Sequence, residues 1–422
     1  MFYLPETIKN NERNSIWNGA FSIIAMSLVS GFIPLFAIQV LGANNQQVGL
    51  LSSLPSLMSI LAMIPGAIWL NRLETKKKFT AISIFMARFF LLLLVFVPFI
   101  PYVNQAWILV VLIALMNFPT ALSTLSWQSF IGDLIPDERR GQFFSERNRI
   151  LTIVGMITTF IVGVILNMFD VSAAGPYQIF FTLGFLFGVL EVYYLMKHIE
   201  HRRVIPKKAG NVKKLDFSFL KKMLKHKPYV YFLICALLFN FGWQMAWPLF
   251  NIYQINYAGA TAFWVSLFTV ANQVSQIASY KWWGRLADKK GNSVMLLIAA
   301  LGMTTAPVLT ILSTNLVYLT MVNLWSGTFV AGTTMLLFNQ LLKVSPENDR
   351  TSYLASYNVV IAGIGFIAPQ LGVLFLELYG MNVAMGISSI FRFVGGLAFL
   401  VVVLYVERKL RPSSNVVKSK VG

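Results

Sequence analysis

The stretch GRLADKKGNS, Gly284 to Ser293, is the most polar piece of chain between two long apolar runs. A turn in water needs only polarity, but this spacing carries more. Gly284 at the end of one run permits close packing or a tight exit, and Gly291 seven residues later can take the positive-φ backbone that reverses a chain. Asp288, between them, could cap amides at a helix N-terminus or pair with an arginine. Whether it is a solvated turn or a working contact, the stretch joins two segments of membrane-spanning length, and that decides the fold.

Of the 422 residues, 57% are apolar and only 12% charged, against about half apolar and about a quarter charged in soluble domains. Apolar runs recur at 17–41, 48–70, 79–100, 106–131, 150–169, 178–197, 229–257, 262–283, 293–313, 315–342, 353–379 and 381–406. Each is long enough to cross a hydrocarbon core about 30 Å thick as a helix. The expected fold is therefore an all-α membrane protein with twelve transmembrane helices. A β-barrel would show short alternating segments instead.

The net charge of +18 would suit nucleic acid, but the basic residues fall almost entirely in every second connection. They occupy the first stretch (Lys9, Arg13), then 72–78, 139–149, 197–227, 281–290, 343–350 and the tail after 407. The connections near 42–47, 101–105, 170–177, 258–261, 314–315 and 380 carry none. This positive-inside pattern places both termini in the cytoplasm. It assigns the charge to topology and to anionic lipid headgroups, the 197–227 cluster above all, and not to nucleic acid. MFYLPETIKNNERN has no apolar core and does not read as a cleaved signal peptide. Cys235 is the single cysteine, so no disulfide framework or thiolate metal site is expected.

His198 to Pro228 is the longest polar segment. It divides the chain into a six-helix bundle over 1–197, a cytoplasmic linker over 198–228 with a short amphipathic helix around 217–225, and a second bundle with a basic tail over 229–422. The halves echo each other. IGDLIPDERRG, 131–141, follows the fourth run and LLKVSPENDRT, 341–351, the tenth; an offset of 210 sets Pro136 on Pro346, Asp137 on Glu347 and Arg140 on Arg350. AIWLNRLETKKK, 67–78, ends the second run as GRLADKKGNS ends the eighth. Matching loops on one side describe two pseudo-symmetric bundles related by an axis along the membrane normal. On these residues the chain resembles the major facilitator superfamily (MFS). Gly284-Arg-Leu-Ala-Asp288-Lys-Lys-Gly291 is similar to that family's G-x-L-A-D-x-x-G loop, and Pro136 to Gly141 to its P-x-x-x-R-G run. The first-half copy departs from the pattern, with Asn71 for the aspartate and Glu74 for the second glycine, which leaves the loop carboxylate to Asp288.

The resemblance implies that Gly284, Asp288 and Gly291 form a latch between the halves on the cytoplasmic side. Asp133, at a helix exit, and Arg140 and Arg350, at the repeated position, join it as gate residues. The rest of the charged 133–149 stretch, including Arg139, Glu146, Arg147 and Arg149, reads as a solvated loop.

The resemblance also implies that helices 1, 4, 7 and 10 line a central pathway. Independently of it, Asn240, Trp243, Gln244, Trp247, Asn251 and Gln254 share one face of the seventh run at about 100° per residue. Asn117, Thr124 and Gln128 do so on the fourth, and Asn323, Ser326 and Thr334 on the tenth. Amides in hydrocarbon need partners, so these faces meet a cavity or another helix. Their chemistry is neutral, and tryptophan faces suit sugars and other rings. Charges at membrane depth are Arg88, Glu191, Glu377 and Arg392. The two arginines suit buried pairing, while Glu191 and Glu377 either carry a coupling proton or reach the interface. Ser52, Ser56 and Ser59, and Gly155, Thr159 and Gly163, form small-residue faces that let helices approach.

The expected function is secondary transport of a small organic solute across the cytoplasmic membrane by alternating access. A neutral, ring-bearing solute leads over the alternative, a proton-coupled efflux pump for amphipathic compounds; a non-transporting receptor or lipid scramblase of the same fold is the remaining reading. An enzyme is not expected, since His198, His201 and His226 all lie in the linker and no metal or serine-base spacing occurs. A channel would need a pore loop or charged ring. The expected partners are the solute, membrane lipids and a coupling proton, with no cofactor, and the chain is expected to act as a monomer.

Overall fold

The computed structural model describes residues 6–101, 104–200, 223, 225–346 and 349–406. The expected basic tail and nearly all of the expected 217–225 helix lie outside them. The long helices are α1 (Glu6–Ser27), α2 (Asn45–Asn71), α3 (Lys77–Leu94), α4 (Gln105–Leu134), α5 (Asp137–Leu166) and α6 (Ala174–Met196). They continue with α7 (Lys227–Ile252), α8 (Ala262–Lys290), α9 (Asn292–Ile311), α10 (Leu316–Val344), α11 (Arg350–Tyr379) and α12 (Met381–Val401). No strand occurs among the described residues.

Eleven of the segments are long and apolar enough to cross a membrane, and α8 is the exception. Its middle carries Asn272, Gln273, Ser275, Gln276 and Ser279, which dilute its hydropathy. That polar face is used internally. Asn272 Nδ2 donates to the Asn323 carbonyl of α10 at 3.1 Å, and the fully buried Trp283 donates to the Thr328 carbonyl at 2.7 Å.

Several helices overrun their apolar runs. Helix α1 begins at Glu6 and not near 17, α5 at Asp137 and not near 150, and α8 continues through GRLADKK to Lys290. The charged stretches expected as loops are therefore largely helical. Charge does not end a helix; here a proline before the first turn and a glycine at positive φ mark the limits. Pro136, at φ −57°, sits just before α5, and Gly291, at φ 94°, separates α8 from α9. The early part of α1 is held by asparagines on one face: Asn11, Asn14 and Asn18 donate to the carbonyls of Ile199, Lys197 and Glu191 at 3.0, 3.2 and 2.9 Å.

The internal repeat is visible in backbone detail. After α1 and after α7 the chain passes through a wide turn, Phe36–Val40 and Tyr253–Tyr257, closed by bonds from Leu41 N to Phe36 O and from Ala258 N to Tyr253 O. A glycine follows each turn, Gly42 at φ 65° and Gly259 at φ 66°; its left-handed backbone brings the next amide onto an orphan carbonyl, Ala43 N to Ala37 O and Ala260 N to Gln254 O, both 2.8 Å. Helices α4 and α10 each open on an asparagine cap, Asn104 and Asn315. They close on Ile135 and Ser345, which have nearly identical backbones (φ −101°, ψ 122° and φ −89°, ψ 123°) at the offset of 210 read from the loops.

The chain forms two compact units, one of Met1–Lys214 with Asn251–Val270 and the other of Leu215–Phe250 with Ala271–Gly422. In the first, α1 packs on α5 and α6, α3 on α4 and α6, and α2 on α4. Its apolar core gathers Val29, Phe32, Phe36, Leu91, Leu109 and Phe181, and takes in Ile255 and Ala262. Gly163 supports that inclusion, because a side chain there would strike Ser266 and the Ala262 carbonyl. In the second unit α9 packs on α10 and α12, and the core gathers Tyr229, Phe232, Phe239, Trp283, Leu296 and Phe399.

Candidate functional site

A cavity of about 330 Å³ opens inside the first unit, within the range of about 300–1,000 Å³ usual for small-molecule sites. Five helices line it: Asn18, Ser22 and Met26 from α1, Arg88 from α3, Thr120, Ser123, Thr124 and Trp127 from α4, Arg147 from α5 and Glu191 from α6. Thr124 is thus the expected pathway residue that reaches it.

Arg88 and Glu191 form an ion pair of 2.8 Å with both side chains under a tenth exposed. The guanidinium is otherwise held by Met26 Sδ at 2.6 Å and Ser22 Oγ at 3.1 Å. The pair exists because α6 is small beneath it. A Cβ on Gly188 would lie 2.5 Å from Arg88 Cγ, and one on Gly184 3.2 Å from the Ala25 carbonyl, so the two glycines let α3 and α1 approach. The reading of Glu191 as a residue reaching the interface is corrected: it is 3% exposed and faces the arginine. The membrane-depth carboxylate at this cavity comes from α6.

Arg147, read as part of a solvated loop, is 9% exposed. Its Nε donates to the Ser15 carbonyl at 3.2 Å and its guanidinium lies 4.3 Å over the Trp127 ring. Gly19 makes this possible, since a Cβ there would fall against Arg147 Nη2. Only the one-face spacing of the α1 asparagines hinted that α1 turns a polar side inward. Arg139 is likewise not a solvated loop residue; it grips Glu12 through two bonds of 2.9 and 3.0 Å.

The other expected pathway residues are distributed. Asn117, Asn240 and Asn323 each donate to a carbonyl four residues back in their own helix, at 2.7, 2.8 and 2.8 Å. Gln244 is buried, Trp243 and Ser326 are partly buried, and Gln128, Thr334 and Trp247 are exposed, Trp247 at 45%. Asn251 and Gln254 belong to the first unit, and the rest of the α7 stripe to the second. In the second unit Arg392 is fully buried without a carboxylate among the described residues; the carbonyls of Gly242, Met303 and Trp243 receive its guanidinium at 3.3, 3.1 and 3.3 Å. Pairing was expected there, and backbone acceptors take its place.

At the loop ends, Asp133 pairs with the buried Lys76 at 2.6 Å, and Lys76 also donates to Ser129 Oγ. Arg140 turns back onto the C-terminal carbonyls of α4, Ile135 at 3.0 Å and Gly132, where the helix dipole favours a cation. Arg350 opens α11. Asp288 is exposed in the last turn of α8 and caps no helix, since Gly291 precedes α9 without a side-chain bond. Gly284 lies within α8 and not at its exit, and among the described residues nothing lies within 4 Å of a side chain placed there. Glu377 is exposed near the end of α11, and the Asn71 side chain lies outside the described residues.

The sequence matches the model of the Major Facilitator Superfamily over residues 16–369 and again over 232–421. A multidrug resistance protein, MdtG, of Dickeya zeae is 28% identical over 147 residues, a stretch that spans 35% of each chain. An uncharacterized MFS-type transporter of Methanocaldococcus jannaschii is 24% identical over 392 residues, 89% of this chain and 97% of that one. The solved nucleoside transporter NupG superposes with a TM-score of 0.73 at 12% identity, over 94% of this chain and 100% of that one. A D-xylose-proton symporter does so with 0.71 at 13%, over 94% and 97%. At such identities the likeness is one of fold. With its helical membrane segments, its backbone repeat and a family match across nearly all its length, the chain belongs to the major facilitator superfamily, whose members are transporters working by alternating access and not enzymes.

Proposed function

We propose that the chain is a secondary active transporter for a small ring-bearing organic solute, coupled to protons through Glu191. The observation that carries this reading is the buried Arg88–Glu191 pair bordering a cavity of about 330 Å³. An ionisable pair inside a membrane bundle is costly to keep unless it is used. Protonating Glu191 would free Arg88 and change the cavity's charge, which links proton occupancy to solute occupancy. Ring-bearing solutes are favoured by the cavity's size and by the neighbours named for nucleoside and D-xylose transport. A neutral, sugar-like solute would use the hydroxyls of Ser22, Thr120, Ser123 and Thr124. Efflux of amphipathic compounds is the second reading, favoured by the relative named for multidrug resistance.

The proposal extends to setting. Both termini lie on the cytoplasmic side of the cytoplasmic membrane, following the Lys and Arg distribution, and the chain works as a monomer among its lipids. The halves are 1–197 and 229–422 joined by the 198–228 linker, and Asp288, Gly284, Gly291, Asp133, Arg140 and Arg350 serve the closure between them. Glu377 is the secondary candidate for the coupling proton.

The test is uptake into proteoliposomes under an imposed pH gradient, with labelled sugars, nucleosides and cationic drugs. Gradient-driven movement of a ring solute, lost in Glu191→Gln, is expected. Uptake by Glu191→Gln that still follows the gradient would remove Glu191 from coupling, and movement of cationic drugs alone would favour the efflux reading.

A further inference from the structure

The charges around the first-unit cavity do not cancel. Arg88 and Glu191 pair across 2.8 Å, and Arg147 adds a second guanidinium, so the cavity wall carries one more positive charge than negative. Arg147 is more than nine-tenths buried, and only its Nε makes a hydrogen bond, to the Ser15 carbonyl. Its two terminal nitrogens have no acceptor among the described residues. A second donor stands beside it, the Trp127 indole N–H, which is buried without a partner among the described residues. A buried guanidinium is stable only when its charge is met, and its planar fork matches a carboxylate.

The remaining lining has the opposite character. Thr120, Ser123 and Thr124 each spend their hydroxyl proton on a carbonyl of α4, at 2.7, 2.8 and 3.0 Å. What they offer inward is therefore oxygen lone pairs, which accept hydrogen bonds from a solute's hydroxyl groups. One strong anion-seeking fork stands opposite a wall of acceptors.

We propose that this cavity binds a ring-bearing monocarboxylate, its carboxylate on Arg147 and Trp127 and its hydroxyls, where it has them, on the α4 hydroxyl oxygens. The inference names the solute class for the transport reading and rests on it only in taking the cavity as part of the solute path. Positioning of Arg147 over Trp127, with Gly19 leaving room, keeps the fork in place before the solute arrives.

The test is equilibrium binding to the full-length protein in nanodiscs, with glucuronate against glucuronamide and benzoate against benzamide. The acid of each pair is expected to bind at least about tenfold more tightly than its amide. Arg147→Gln should remove that preference, and Arg147→Lys should keep part of it. Arg149→Gln, which deletes the same charge from an exposed position on the same helix, should leave it intact. Trp127→Phe, which keeps the ring and loses the N–H, should weaken the acids a few-fold. Equal binding of acid and amide to the wild type, no binding of either acid, or an acid preference untouched in Arg147→Gln would each overturn the proposal. Proton-driven uptake of a neutral sugar by vesicles whose protein binds no acid would overturn it while leaving the transport reading in place. Acid binding that depends on Arg147, in protein that moves no solute, would do the reverse.

Discussion

Arg88 Nε donates to Glu191 Oε2 at 2.8 Å, across a helix contact that Gly188 keeps open. Three helices take part, because Ser22 and Met26 of α1 receive the other guanidinium nitrogens. The pair is thus both a membrane-buried charge and a rivet between α1, α3 and α6.

Breaking the pair from one side strands a charge. Glu191→Gln should destabilise the protein by about 3–5 kcal/mol, and Arg88→Met with Glu191→Gln by clearly less, since the double variant leaves no unpaired charge. Chemical unfolding in detergent measures both. A double variant no more stable than Glu191→Gln would show that the charges are not coupled.

Gly188→Ala places a methyl group 2.5 Å from Arg88 Cγ, close to the α3 backbone, where the stem cannot swing away. Overpacking of about 1–3 kcal/mol is expected. Gly363→Ala is the contrast: among the described residues nothing lies near its missing side chain, and it should be neutral or slightly stabilising. Unfolding midpoints of the two variants compared side by side decide the matter.

His198 is 1% exposed at the end of α6, packs edge-on against Phe130, and donates from Nδ1 to the Leu195 carbonyl at 2.9 Å. Its Nε2 has no partner among the described residues. Burial holds its pKa below the ordinary 6.5, and the nearby Lys77 and Arg147 charges push the same way. A depressed histidine is neutral in the fold and charged in the unfolded chain below about pH 6.5, so its contribution is intact above that value and is lost as the pH falls below it. Thermal midpoints should drop between pH 7.5 and pH 5.5, and His198→Phe should flatten that drop. A slope unchanged in the variant would assign it to other groups.

Gly291 and Asp288 separate strain from contact. Gly291→Ala forces a side chain into φ 94°, ψ 141° and should cost about 1–3 kcal/mol. Asp288→Asn changes an exposed side chain and should leave stability within about 0.5 kcal/mol. If the aspartate latches the transport cycle, the same variant lowers the uptake rate by about fivefold or more. Unaltered uptake would make Asp288 a solvated residue of α8.

The membrane fold was legible without coordinates, because spanning a bilayer requires every backbone group to bond within its own helix, and that demand writes itself into continuous apolar runs. The repeat was legible too: the offset of 210 that sets Pro136 on Pro346 also sets Ile135 on Ser345, where α4 and α10 end on nearly identical backbones. Helix ends were less legible, as Asp137–Leu166 and Ala262–Lys290 show, since charge marks the membrane edge and not the end of a helix. The site was legible only as residue types. Arg88, Arg147, Trp127 and Glu191 lie on four helices and are far apart in the chain, and no periodicity relates them. Which charges cancel, and which one is left facing the cavity, depends on where Gly19 and Gly188 allow helices to close, and that was decided by tertiary packing alone.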